Sequence, residues 1–315
     1  MNRYAFGADI GGTTVKLGLF TGEGDLVEKW EIPTHTENNG EHILPDVAVS
    51  ISDVMARRGI CADEVAGIGV GVPGPVDGDG TVHKCVNLGW GVFNVREALG
   101  ALLPGIARVE AGNDANVAAL GELWKGAGQG MRSAVMLTLG TGVGGGVVLD
   151  GKIVSGANGG AGEVGHITVN PDETVQCSCG KYGCLEQYAS ARGAANLARA
   201  MLKESDAKTP LREMEGFTAK ELCACAAAGD LFSLRVLDRM GEMLGRAMSF
   251  ISCTIDPDVF VLGGGMSRAG STITAPVERY YRKYAFHVSA STPITIARLG
   301  NDAGIYGCAA MVLSK

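Results

Sequence analysis

Two stretches of this 315-residue chain follow one plan. YAFGADIGGTTVKLGLFTGEGDLVEKW, from Tyr4, and AVMLTLGTGVGGGVVLDGKIVSG, from Ala134, each read as apolar strand, Gly/Thr-rich tight turn and apolar strand. A second glycine-containing turn (Gly22 to Asp25; Asp150 and Gly151) and another strand follow in both. The spacing is too long for a solenoid, whose repeats run to about 50 residues. It predicts a duplicated α/β fold in which each half opens on a glycine-turned hairpin. Single cores stop growing at roughly 250 to 300 residues, so the length also favours two domains. No low-complexity linker marks the boundary, and the repeat places it near residue 112. The expectation is a small α/β domain over 1–112, a larger one over 113–299, and a segment 300–315 returning to the small domain.

Helical patterns lie between the strands. NDANVAALGELWKGAG starts with the cap formers Asn113 and Asp114 and continues in good helix formers to Trp124. DLFSLRVLDRMGEMLGRAMSFISCTI predicts a long amphipathic helix with Leu231, Leu234, Leu237, Leu244 and Phe250 on its apolar face. A buried strand is expected next, in DVFVLGGG from Asp258 to Gly265.

The formal charge of −7 argues against a nucleic-acid or membrane-surface partner, which would select basic patches. A small polar ligand fits better. Asp9 interrupts the N-terminus before a signal-peptide core can form, so a cytoplasmic protein is expected. The uncharged run from Ser133 to Leu149 is rich in glycine, valine and threonine and reads as strand, turn and strand, not as a membrane span.

Two matches to the dinucleotide fingerprint G-x-G-x-x-G, Gly69 to Gly74 and Gly140 to Gly145, fail on context. The second runs into a strand where a helix is required, and the first carries Pro73 in its turn. The hairpin turns themselves are better anion cradles. In DIGGTT, Gly11 and Gly12 let backbone amides converge while Thr13 and Thr14 add hydroxyl donors. Asp9 is placed to hold magnesium there, directly or through water. Gly140, Thr141 and Gly142 form the counterpart in the second half, and Gly263 to Gly265 would let a flat ring approach the backbone. Each loop alone reads as a plain turn. Three at matching positions of a duplicated fold favour the binding reading over the plain turn.

Asp114 stands where a strand ends and a helix begins. Capping would explain it and is worth about 1 kcal/mol. A carboxylate in that position is also kept ionised by the helix dipole and can take a proton from a hydroxyl. The readings are compatible if Asn113 caps and Asp114 works, and Asn113 could bind the same ligand.

His166, Cys177, Cys179 and Cys184 cluster within the loop 166–184. Their spacing is close to that of zinc sites, and cytosolic disulfides are disfavoured. Structural Zn2+ held by one imidazole and three thiolates is the reading, with no open position for an activated water. Cys61, Cys85, Cys223, Cys225, Cys253 and Cys308 are expected in the core. Glu163 and Glu186 flank the cluster, either as solvated carboxylates or as acceptors for the hydroxyls of a polyol.

DIGGTTVKLGLF, GIGVGVPGPVD, NDANVAALGE, LTLGTGVGGGVV, GEVGH with CSCGKYGCLE, and FVLGGG occur in the order and spacing of the ROK family of repressors, open reading frames and kinases. The resemblance runs from about residue 4 to 312, and the histidine with three cysteines is its most specific part. It implies a two-domain actin/hexokinase-like (ribonuclease H-like) α/β fold, with ATP and a hexose in the cleft between the domains. Asp114 resembles the family's catalytic base. Asn113, Glu163, His166 and Glu186 resemble its sugar-binding residues, with Asn87 a weaker match, and His166 would use one ring nitrogen for zinc and the other for sugar. Asp9, Gly11, Gly12, Thr13, Thr14, Gly140, Thr141 and Gly142 would face phosphates and Mg2+, with Gly264 and Gly265 near adenosine.

Family repressors carry a helix-turn-helix ahead of the first phosphate loop, for which Asp9 leaves no room, so the resemblance implies a kinase. VNLGW with CSCGKYGCLEQYASARG looks most like ATP-dependent glucokinases, converting glucose to glucose 6-phosphate. N-acetylmannosamine kinase follows, then fructokinase and allose kinase. A non-catalytic sugar sensor of the same fold is the alternative from another class. The resemblance also implies a homodimer or tetramer.

Overall fold

The computed structural model describes residues 3–314. The chain divides into two compact units. The first holds the chain up to Ser133, Gly146–Gly162 and the segment from Arg298 on; the second holds Ala134–Gly145 and Glu163–Ala297.

In the first unit the glycine-turned hairpin appears as β1 (Tyr4–Ile10) and β2 (Thr14–Thr21), followed by β3 (Leu26–Pro33). β4 (Val65–Val72) comes after helix Ile43–Arg58, then a small ribbon of β5 (Thr81–Val82) and β6 (Phe93–Asn94), then β7 (Val109–Asn113). The sheet order is β3-β2-β1-β4-β7. β1, β2 and β3 are antiparallel, whereas β1, β4 and β7 run parallel. Phe6, Ala8, Leu17, Leu19, Ile68 and Val70 are fully buried beneath helix Ile43–Arg58, which contributes Val47 and Ile51 to the same core.

Helix Asp114–Lys125 packs against the C-terminal helix Ala303–Leu313. A Cβ on Gly121 would overlap the Ala303 carbonyl, and one on Gly307 would overlap that of Val117, so the two glycines permit the close crossing. Glu122, fully buried, locks it: Oε1 accepts from the Leu299 amide (2.7 Å) and Oε2 from the amides of Arg298 (3.0 Å) and Ala127 (2.8 Å). These contacts keep helix Asp114–Lys125 in the first unit, whereas the repeat had suggested a boundary near residue 112.

The second half of the repeat supplies β8 (Ala134–Leu139) and β9 (Val143–Leu149), so the uncharged run is strand, turn and strand. The expected third strand, β10 (Lys152–Ile153), is two residues long and pairs with Val148 and Leu149. In the second unit β8, β11 (Val259–Gly263) and β12 (Ile294–Ile296) lie in that order and run parallel. Helix Leu231–Ile255 begins at Asp230, whose carboxylate accepts from the Ser233 amide (2.9 Å). Its inward face is not the leucine stripe. Leu237 and Leu244 are buried, but Leu231, Leu234 and Phe250 are exposed, and Val236, Met240, Met243, Ala247, Met248 and Ile251 fill the core instead. Small and flexible residues on this face let the helix seat closely on Ser271–Tyr284. The expectation that the remaining cysteines are core residues holds for Cys85, Cys225 and Cys308; Cys61 and Cys253 are exposed and Cys223 is half-buried. Among the described residues no helix is long and apolar enough to cross a membrane.

Candidate active site and metal centre

The parallel register of the first unit brings Asp9 opposite Gly71 and Val72 opposite Asn113. Asp9, Asn113 and Asp114 therefore stand at the carboxyl ends of neighbouring strands, where open α/β sheets bind ligands. The turn beyond Asp9 is closed by the Gly11 amide on the Thr14 carbonyl (3.0 Å), and Thr34 braces it through its hydroxyl on the Gly11 carbonyl (2.8 Å). Gly12 and Thr13 form its exposed tip. A Cβ on Gly304, at the start of the C-terminal helix, would overlap the Asp9 carboxylate, so that group is walled in. Burial, and then the charge of Asp114, push its pKa up to about 6, against a smaller opposing pull from Lys16.

Asn113 is the cap of helix Asp114–Lys125. Its Oδ1 accepts from the amides of Ala115 (3.0 Å) and Asn116 (3.2 Å), while its Nδ2 donates to the Gly74 carbonyl (3.1 Å) and to Asp114 Oδ1 (3.0 Å). All four hydrogen-bonding places of the amide are in use. Asp114 occupies the first helical position, and its Oδ1 also accepts from the Ala115 amide (2.8 Å). Two donors thus fix one carboxylate oxygen at the helix N-terminus. Asn87 is exposed on the turn Val86–Leu88, which is anchored by Trp90 Nε1 donating to the Gly40 carbonyl (3.0 Å).

In the second unit the turn between β8 and β9 is closed by the Gly140 amide on the Gly142 carbonyl (3.0 Å), and the Ala191 amide donates to the Gly140 carbonyl (2.8 Å). Gly142 has a use that the phosphate-cradle reading did not foresee. Any Cβ there would overlap Glu186 Oε2, which accepts from the Val143 amide (3.1 Å), while Oε1 accepts from the Ser178 hydroxyl (3.3 Å). Glu186 is half-buried beside the loop, and Glu163 is exposed just before the single turn Val164–His166.

A cavity of about 990 Å³ opens beside the same loop, lined by Leu139, Gly140, Thr141, Gly265 and Met266 together with helix residues such as Ala219 and Ala224. Gly264 has φ +82° and no space for a side chain against the Leu139 backbone. Gly265 faces open space, as a residue lying under a flat ring would. A second, smaller cavity of about 440 Å³ includes Cys177, Ser178, Glu186 and Arg192 in its walls.

His166, Cys177, Cys179 and Cys184 bring one ligand atom each to within 4.8 Å of all the others. Cys177 Sγ lies 3.9 Å from His166 Nδ1, and Cys179 Sγ 3.6 Å from Cys184 Sγ. A tetrahedron with Zn–S near 2.3 Å and Zn–N near 2.05 Å has edges of roughly 3.5 to 3.8 Å, so the donor set fits zinc. It does not fit a disulfide, whose sulfurs sit about 2.05 Å apart. Burial pushes the Cys184 thiol up to about 12, a cost that a bound dication would offset. The scaffold is local: the Cys177 amide donates to the Lys181 carbonyl (2.8 Å), the Leu185 amide to that of Ile167 (2.9 Å), and Lys181 Nζ caps the His166 carbonyl (3.0 Å). Nδ1 faces the sulfurs, which leaves Nε2 for another partner.

Several residues escaped the sequence reading. Ser178, between two cysteines, bonds Glu186, and its place in the CSC triplet was the available signal. Arg192, Lys220 and Arg268 line the larger cavity; they come from three elements, and no local pattern connects them.

A model of the ROK family matches residues 5–315. A glucokinase of Halalkalibacterium halodurans is 41% identical over 313 residues, 97% of this chain and 94% of the relative. A glucokinase of Thermotoga maritima is 35% identical over 98% of this chain and 97% of its own length. Among solved structures, a ROK family glucokinase from Streptomyces griseus in complex with glucose and AMPPNP superposes with a TM-score of 0.73 at 30% identity, over 98% of both chains. The chain belongs to the ROK family and has its two-domain actin/hexokinase-like α/β fold.

Proposed function

We propose that this protein transfers the terminal phosphoryl group of ATP to a hexose, with glucose as the acceptor and glucose 6-phosphate as the product. The observation that carries this reading is Asp114: a carboxylate at a helix N-terminus, held through one oxygen by its own capping residue, at the carboxyl edge of a parallel sheet. In this role Asp114 accepts the proton of the attacking hydroxyl. Asn113, with every hydrogen-bonding place committed, orients Asp114 more than it contacts sugar.

Glu163, Glu186 and His166 Nε2 offer acceptors or donors to the sugar hydroxyls, and Asn87 adds an exposed amide. The turns Asp9 to Thr14 and Gly140 to Gly142 present backbone amides and threonine hydroxyls to phosphates, and adenosine lies in the cavity over Gly265. Asp9 would hold Mg2+, which supplies charge neutralisation for phosphoryl transfer. Zinc at His166, Cys177, Cys179 and Cys184 would fix the loop that carries His166 and Ser178, with all four of its places taken by protein. The glucokinase relatives favour glucose among the hexoses.

One coupled assay with glucose, N-acetylmannosamine, N-acetylglucosamine, fructose and allose tests the proposal. Glucose should give the highest kcat/KM, with ADP formation dependent on Mg2+. Transfer to none of these sugars would overturn the kinase reading, and preference for another would overturn the choice of acceptor. Asp114→Ala should lower kcat by roughly 100-fold or more. The fold should be kept, because the cap is Asn113.

A further inference from the structure

We propose that Arg192 is a phosphate-binding residue for the phosphoryl donor, gripping the polyphosphate chain beside Gly140 and Thr141. The inference rests on ATP occupying the larger cavity, as read above. The chain carries a formal charge of −7, yet the charged residues lining this cavity are Arg192, Arg199, Lys220 and Arg268, with no aspartate or glutamate among them. A wall of this kind suits a ligand with several negative charges.

The four cations are not equivalent. Arg199 is already committed: it donates to the Phe217 carbonyl (2.6 Å) and to Asn196 Oδ1 (2.9 Å), and its guanidinium lies over the Phe217 ring. It is part of the wall. Arg192, Lys220 and Arg268 are exposed, and among the described residues their side-chain cations show no hydrogen bond or ion pair. Of these three, only Arg192 lines both cavities, and so reaches the space containing Ser178 and Glu186 as well as that containing Gly140 and Thr141.

Its backbone is fixed to the phosphate loop. The neighbouring Ala191 amide donates to the Gly140 carbonyl (2.8 Å), and Ser190, the cap of the same helix, accepts from the Gly193 amide (2.9 Å). The base of the side chain is thus held by bonds on either side, while its head is unpaired. Ordering a long cationic side chain against a carboxylate would cost rotamer entropy and neutralise the charge, and neither has happened here. A guanidinium presents a planar fork that matches two phosphate oxygens at once. At the border of the two cavities it would hold the donor's phosphates toward the side on which Glu186 stands.

The test compares wild type with Arg192→Ala and Arg192→Lys, since a solvent-facing head with no protein partner can be replaced without loss of fold. Binding of ADP and of inorganic tripolyphosphate is measured by calorimetry, and KM is measured separately for ATP and glucose. Arg192→Ala should weaken tripolyphosphate binding and raise the KM for ATP by roughly 10-fold or more, the usual scale for losing charge-assisted hydrogen bonds. The KM for glucose and the affinity for adenosine should stay within about twofold, and lysine should restore part of the loss. Tripolyphosphate binding by a folded Arg192→Ala protein within about twofold of wild type would overturn the proposal while leaving the kinase reading intact. Wild type that binds no ATP would overturn both.

Discussion

Replacing Asp9 by asparagine should stabilise the magnesium-free protein while abolishing its activity, and the size of the effect follows from the walls around that carboxylate. Gly304 and Gly71 bring backbone against it, and burial together with the charge of Asp114 raises its pKa from 3.8 to about 6. A raised pKa means that the folded state holds the proton more tightly than the unfolded chain. The favourable contribution is fully present below about pH 4 and is lost as pH rises through 6. At 1.36 kcal/mol per unit the whole span corresponds to about 3 kcal/mol. Asparagine has the same shape and no charge to bury, so position 9 should add no pH dependence of its own over that window.

The assay is the midpoint of the first thermal unfolding transition for both proteins between pH 4 and 8, with and without Mg2+. Without the ion, wild type should fall progressively below Asp9→Asn as pH rises, with the gap levelling off near pH 7. Added Mg2+ with nucleotide should close the gap for wild type alone, since a dication does for the carboxylate what the proton did. Parallel pH dependences of the two proteins would refute the argument, because they would mean that Asp9 carries no buried-charge cost.

Cys179→Ser should lower bound zinc, measured by elemental analysis, and raise the KM for glucose by several-fold, leaving ADP affinity near wild type; loss of nucleotide binding ahead of sugar binding would contradict the local role given to the metal loop. Gly142→Ala should displace the Glu186 carboxylate from the Val143 amide and raise the KM for glucose by about 10-fold, on the scale of one hydrogen bond to a charged group. Glu122→Gln keeps the shape but loses charge-assisted bonds to backbone amides, and should cost about 2 to 3 kcal/mol in thermal or denaturant unfolding.

Much of this was legible in the sequence because the signals were local. A glycine pair between two apolar strands can only be a tight turn, so β1 with β2 and β8 with β9 were readable, and Asn113 with Asp114 marked a helix start. The cysteine spacing likewise predicted a cluster whose ligand atoms do converge. What stayed hidden depended on partners distant in the chain. Glu122 reads as one more polar residue of a helix until Arg298 and Leu299 deliver their amides to it. Gly142 looked like a phosphate turn, and its clearance for Glu186 appears only once the zinc loop folds back. The leucine stripe misled for a different reason: on helix Leu231–Ile255 methionine, alanine and glycine fill the tight side, so leucine content was a poor guide to burial.

The crossing at Gly121 and Gly307 also has a temporal side. Helix Asp114–Lys125 leaves the ribosome well before Ala303–Leu313, and the main segment of the second unit, Glu163–Ala297, is synthesised between them. Domains generally fold as units during synthesis, so the second unit has its full chain while the first still lacks a layer. During that interval Asp9 is without the wall at Gly304, and Glu122 has the Ala127 amide but still lacks those of Arg298 and Leu299. The acidity of Asp9 is therefore tuned by helix Ala303–Leu313, and a chain that has not yet reached that helix lacks the wall around this carboxylate.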